Sequence, residues 1–177
     1  ATALRDVLEN VAFVNWHMAV IFRHINEPTR NIVIYRGMDS VQAGQNATAT
    51  LDGFLVPNSG FSGQLGIVGY EGDDSLTGDS FLFNGAVLSN PLNPATNFFN
   101  STRSTLGAPV SIAGDLPQMS GQPSSMVGID LDVVDVSAQL SAGATSAQLR
   151  ATSSGDLFFL GGFLTGISTL FPVFSDS

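Results

Sequence analysis

A period of two runs through this sequence and restricts what it can fold into. From Trp16 to Ile25, Trp16, Met18, Val20 and Phe22 alternate with His17, Ala19, Ile21 and Arg23, the spacing that sets side chains on opposite faces of an extended strand. Asn26-Glu27-Pro28-Thr29 reads as a turn and Asn31 to Tyr35 as a second strand rich in β-branched residues, so the two runs are expected to pair as a hairpin. Further strands are expected at 47–55, 64–70, 80–83, 86–88, 127–136, 147–152, 157–160 and 167–174. Asn84-Gly85 joins two of them and suits a type I′ turn, in which both central residues need positive φ. The 19 Gly and 8 Pro punctuate the pattern. Helical spacing is hinted at only by Leu4, Val7, Leu8 and Val11, and residues 89–122 are expected to hold the longest loops. The expectation is an all-β chain: a single-domain antiparallel β-sandwich or jelly roll over residues 1–177.

Composition narrows the function. The chain has 177 residues, 44% hydrophobic and only 12% charged, enough apolar material for one core and too little charge for a disordered chain. Its net charge is −9, and the six basic residues are all Arg, which argues against a nucleic-acid partner because phosphate binding draws on clustered Lys and Arg. With no Cys there is no disulfide, thiolate metal site or Cys nucleophile, and with no Lys there is no Schiff-base chemistry. Ser62 has Gln64 where a nucleophile elbow needs its second glycine, and His17 and His24, seven apart on one expected strand, face opposite sides. The uncharged stretch from Leu157 to Phe174 is long enough to span a membrane, but Gly161, Gly162, Gly166 and Pro172 make it a poor helix, and no membrane span is expected.

Seven of the 15 acids fall in two short segments. In the first, Asp73, Ser75, Thr77, Gly78 and Asp79 match the opening of a calcium loop, with Glu71 nearby and Asn84 where the bidentate Glu would stand. In the second, Asp130 and Asp132 share one strand face at about 6 to 7 Å, with Ile129, Leu131 and Val133 filling the core behind them. Glu71, Asp73, Asp79, Asp130 and Asp132 are therefore the candidate Ca2+ ligands, since hard oxygen donors favour that ion. The Asp130/Asp132 spacing also suits glycoside hydrolysis, but a solvated strand face with core residues behind it explains the spacing without chemistry and is the favoured reading. Asn97 and Asn100 flank Phe98-Phe99 as a candidate sugar- or partner-binding loop, and Asn46 and Asn100 head glycosylation sequons.

Several segments, in order, resemble an uncharacterised β-rich module of very large secreted bacterial and archaeal cell-surface, adhesin-like proteins. They are Trp16 with Glu27-Pro28-Thr29-Arg30-Asn31, Tyr70-Glu71-Gly72-Asp73, Leu92 to Ser101, Gly128-Ile129-Asp130-Leu131-Asp132, and Gly143 to Ala147 with Gly155-Asp156. The resemblance implies an extracellular, non-enzymatic surface role. The expected function is a structural subunit of a surface filament or layer, whose partners are copies of itself and whose apolar terminal strands, about 1–15 and 157–177, are exchanged between subunits. The alternative is a calcium-dependent adhesin module that binds a glycan or peptide.

Overall fold

The computed structural model describes residues 16–169. Among these residues ten strands form two sheets, and one short 3-10 turn stands at Ser137–Gln139. The strands are β1 (Arg30–Val41), β2 (Asn46–Leu51), β3 (Gly63–Tyr70), β4 (Asp79–Phe83), β5 (Ala86–Val87), β6 (Arg103–Thr105), β7 (Ala108–Pro109), β8 (Ile129–Asp135), β9 (Ala147–Ser153) and β10 (Phe158–Ser168). The larger sheet runs β1-β10-β3-β8-β6-β7 and the smaller β2-β9-β4-β5. Every pairing is antiparallel except β6 with β8. The expected sandwich is found, and no helix among the described residues is long and apolar enough to cross a membrane.

The core lies between the sheets and is dominated by Phe. Phe81, Phe83, Phe98, Phe99 and Phe158 have no exposed surface. Phe81 packs against Phe98, Phe99 and Phe163 with ring centroids 5.2, 5.5 and 5.8 Å away, and Phe99 stacks on Phe158 at 4.2 Å. Asn84-Gly85 turns β4 into β5 with φ of 49° and 81°, as that dipeptide requires.

Three expectations change. Residues 16–24 belong to no strand of either sheet, and β1 pairs instead with β10. Alternation specifies an extended backbone, not a partner, and this segment crosses the larger sheet as a strap, its His17 Nδ1 bonded to the Tyr70 hydroxyl at 2.8 Å. The two strands expected at 157–160 and 167–174 are, within the described residues, one continuous strand between β1 and β3. Its glycines bend it without ending it: pairing slips by one residue at Gly161, where an added Cβ would lie 2.4 Å from the Tyr70 ring. The third change is that the region read as loops contains β6 and β7. The helical hint at the start of the chain falls outside the described residues.

Replacing Phe81 with Ala removes a ring that touches three others in a fully buried position. A loss of about 3 to 5 kcal/mol in unfolding free energy is expected by chemical denaturation, with the transition remaining cooperative.

Candidate functional site

Strand β8 places its acids opposite to the expectation. Asp130 and Asp132 point inward with Val134, at 0% and 2% exposure, while Ile129, Leu131 and Val133 point outward and are half-buried. A carboxylate in such a place must find donors. Asp130 Oδ1 accepts the backbone N–H of Asn100 at 3.0 Å and of Thr102 at 3.2 Å. Asp132 accepts the Ser104 hydroxyl at 2.5 Å and the Asn93 side-chain amide at 3.0 Å, with the Thr102 hydroxyl 3.2 Å away. Asn93, Thr102 and Ser104 are buried as well. Burial pushes the Asp130 carboxyl well above the usual carboxylate range, and the Asp132 charge adds to it. Burial likewise raises Asp132 to about 6, against the hydrogen bonds that favour its charged form. Neither carboxyl reaches solvent, so their shared face is a structural network and not a pair poised on a sugar.

The other candidates separate. Glu71 is exposed at a backbone φ of 63°, and Asp73 is exposed in the same β3–β4 loop. Asp79, at the start of β4, is buried, and its Oδ2 accepts the Phe99 N–H at 2.8 Å. Asp156, in the β9–β10 turn, is buried too and raised to about 6 by desolvation, with the charges of Asp79 and Asp73 adding to the shift. Neither strand alternation nor the calcium-loop spacing points to it. Among the described residues no three Asp, Glu or His side chains form a ready metal cluster. Asn97 and Asn100, expected to meet a ligand, are only 6% and 1% exposed. Asn100 donates its side-chain N–H to the Leu92 carbonyl at 2.8 Å, so it is accessible neither to a sugar nor to glycosylation. Asn46, the first residue of β2, is exposed.

An open trough of about 350 Å³ crosses the outer face of the larger sheet. Its floor follows from register. One row across the sheet reads Ile34, Leu164, Gly66, Val133, and the next reads Arg36, Gly162, Val68, Leu131. A third reads Ile32, Gly166, Gln64, Asp135. Gly66, Gly162 and Gly166 stand in mid-sheet, where the missing side chains lower the floor between aliphatic walls. The strap roofs one side through His17, Met18 and Ala19. Arg30 sits at one end, with Nη1 donating to Ser62 Oγ at 3.1 Å and to the Gly166 carbonyl at 3.2 Å. Trp16 and Phe22 on the strap are 72% and 75% exposed, in contrast to the buried Phe core.

No family model and no curated protein matches the sequence. Among solved structures the chain is similar to BpGH86A, a β-porphyranase of glycoside hydrolase family 86 from the human gut bacterium Bacteroides plebeius, at 16% identity and a TM-score of 0.48, over 81% of this chain and 22% of that one. It is also similar to BuGH86 in complex with neoagarooctaose, at 13% identity and a TM-score of 0.45, over 80% of this chain and 19% of that one. At such identities the likeness is one of fold, and the chain spans about a fifth of the solved chains it matches. The expectation of a surface filament or layer subunit, with its calcium-dependent adhesin alternative, is corrected here. The apolar stretch assigned to exchange lies, from Phe158 to Ser168, inside the chain's own sheet, between β1 and β3. Residues 1–15 and 170–177 fall outside the described residues.

The raised acids set a pH dependence. A carboxyl at about 6 in the folded state and near 4 when unfolded makes the folded chain hold more protons between those values, so stability falls as pH rises through that window. In metal-free buffer the melting midpoint is expected to be higher at pH 5 than at pH 7.5. Asp132→Asn, which cannot ionise, should show a smaller drop between the two, measured by calorimetry.

Proposed function

We propose that the chain is a non-catalytic module of a carbohydrate-active protein, holding a polysaccharide across the outer face of its larger sheet. The observation that carries this reading is the open, aliphatic-floored trough, one side of which is lined by a strap that also carries two exposed aromatic side chains. Sugar rings present apolar C–H faces that pack on aromatic and aliphatic surface, and hydroxyls that need polar partners. The aliphatic floor and the exposed Trp16 and Phe22, on the strap whose His17, Met18 and Ala19 line the trough, offer the first kind of surface, and His17, Arg30 and Gln64 offer the second. The trough's volume, about 350 Å³, suits a small-molecule site. The two acids whose spacing suits hydrolysis point to the other side of β8, which is why the module is read as binding and not cleaving. The solved proteins above, one of them bound to neoagarooctaose, supply the first ligand to try.

A second reading, docking against a neighbouring domain, is favoured by one observation: Met18, Val20, Ile21 and Ile25 on the strap are 73, 65, 60 and 94% exposed.

Affinity electrophoresis in agarose gels and calorimetric titration with neoagarooctaose, extended to a panel of glucans, xylan and chitin, test the polysaccharide reading. Retarded mobility and a saturable heat are expected, and Trp16→Ala should weaken binding about tenfold, or 1.4 kcal/mol, while melting like the wild type. Binding to no polysaccharide in the panel, or equal binding by Trp16→Ala, would sink it.

A further inference from the structure

The β3–β4 loop, the loop before β6 and the β9–β10 turn meet at one end of the sandwich, where they leave buried oxygens without donors. Asp79 has no exposed surface; one carboxylate oxygen accepts the Phe99 N–H, and the other, Oδ1, has no hydrogen-bond partner. Asn97 is 6% exposed. Its Nδ2 donates to the Asp74 carbonyl at 2.9 Å, and its Oδ1 has no partner either. A parallel bridge sets Asp79 and Asn97 side by side. Asp156, 2% exposed, is lashed to the residue before Asp79 by the Ser154 N–H on the Gly78 carbonyl at 2.9 Å. Its Oδ1 accepts the Leu157 N–H at 2.6 Å and its Oδ2 the Asp73 N–H at 3.5 Å, and Asp79 stands in register opposite Ser153, whose hydroxyl accepts the Asp156 N–H at 2.9 Å. Among the described residues the one ion pair is Arg103 with Asp115, so no cationic side chain offsets this charge.

We propose that this end of the sandwich binds one calcium ion through the Asp79 carboxylate, the Asn97 side-chain carbonyl and the Asp156 carboxylate. Two carboxylates and one amide carbonyl form a hard, all-oxygen set, and loops rather than rigid strands carry most of it. This suits Ca2+, which takes six to eight oxygens in flexible geometry, better than Mg2+, which demands a tight octahedron. Backbone carbonyls of the converging loops and water complete such a shell. The ion joins three segments distant in sequence and supplies the charge that the buried acids lack. The proposal is independent of the polysaccharide reading, because its test contains no sugar.

The test is calorimetric melting of the full chain after chelation and then with 1 mM CaCl2, beside direct titration of CaCl2. A rise in midpoint of about 5 °C or more is expected, with a stoichiometry of one ion per chain. Asp156→Asn and Asn97→Ala should each abolish most of the rise. In chelator Asp156→Asn should melt at or above the wild type, because it removes one of two neighbouring buried charges. Asp135→Asn, an exposed acid on β8, should keep the full rise. No rise and no heat with calcium would overturn the proposal. So would a rise undiminished in both site variants, or one lost equally in Asp135→Asn, which marks diffuse counter-ion binding.

Discussion

Two carboxylates inside an apolar sandwich dictate much of the remaining structure. Asp130 and Asp132 cannot stay in the core without donors, and the N–H groups of β8 serve its backbone partners, in the ladder with β3 and, for Leu131, on the Thr102 carbonyl at 3.0 Å. The donors come from residues 93 to 104, through Asn93, the N–H groups of Asn100 and Thr102, and the hydroxyls of Thr102 and Ser104. A segment rich in Asn, Ser and Thr is thereby held on the inner side of β8, and its last residues add to the sheet as β6, in parallel. The parallel pairing follows: the chain arrives from the acid-binding loop already beside β8 and has no tight turn to reverse it.

The same acids aim the aromatic core. Asp79 takes the N–H of Phe99, and Asp130 takes that of the next residue, Asn100. Two adjacent peptide groups are thus pinned from two strands, one in each sheet. The rings of Phe98 and Phe99, 5.3 Å apart, are driven between the sheets against Phe81 and Phe158. Polar anchoring and apolar burial act on the same three residues, so neither is separable from the other.

What was legible in the sequence was the backbone, and what was not was the choice of face and partner. Period two found nearly all the longer strands, and Asn84-Gly85 its turn, because both are set by local sterics. Ile129-Asp130-Leu131-Asp132-Val133 has the same alternation whichever side is buried, and hydrophobicity alone points the acids outward. Only the donors 30 residues earlier in the chain reverse it, and nothing in the strand's own sequence signals them. Asn97 and Asn100 misled in the same way, since an amide beside Phe reads as a loop surface when its partners are unknown. Asp156 carried a signal that went unused: Ser153-Ser154-Gly155-Asp156 is a turn whose Ser153 hydroxyl accepts the Asp156 N–H at 2.9 Å, fixing the acid between two strands. The strap at 16–25 is the converse case, a strand-like pattern with apolar residues on both faces, and so with no single buried side to fix its register.

Because β8 turns its acids inward, its aliphatic side chains are turned out, and one strand creates both the interior network and the exterior trough. Alternation makes these a single choice: a slip of one residue in the β3–β8 register would expose Asp130 and Asp132 and bury Leu131 and Val133. The neighbouring strands comply with the outward apolar row. Gly66 faces Leu164 so closely that a Cβ there would lie 3.3 Å from the Leu164 Cβ, and a Cβ on Gly162 would lie 3.0 Å from the Tyr35 carbonyl oxygen. Side chains at these positions would both crowd the strands and fill the trough. The glycines therefore satisfy packing within the sheet and openness above it together, so the concave outer face is a product of the way the sheet closes over its buried acids.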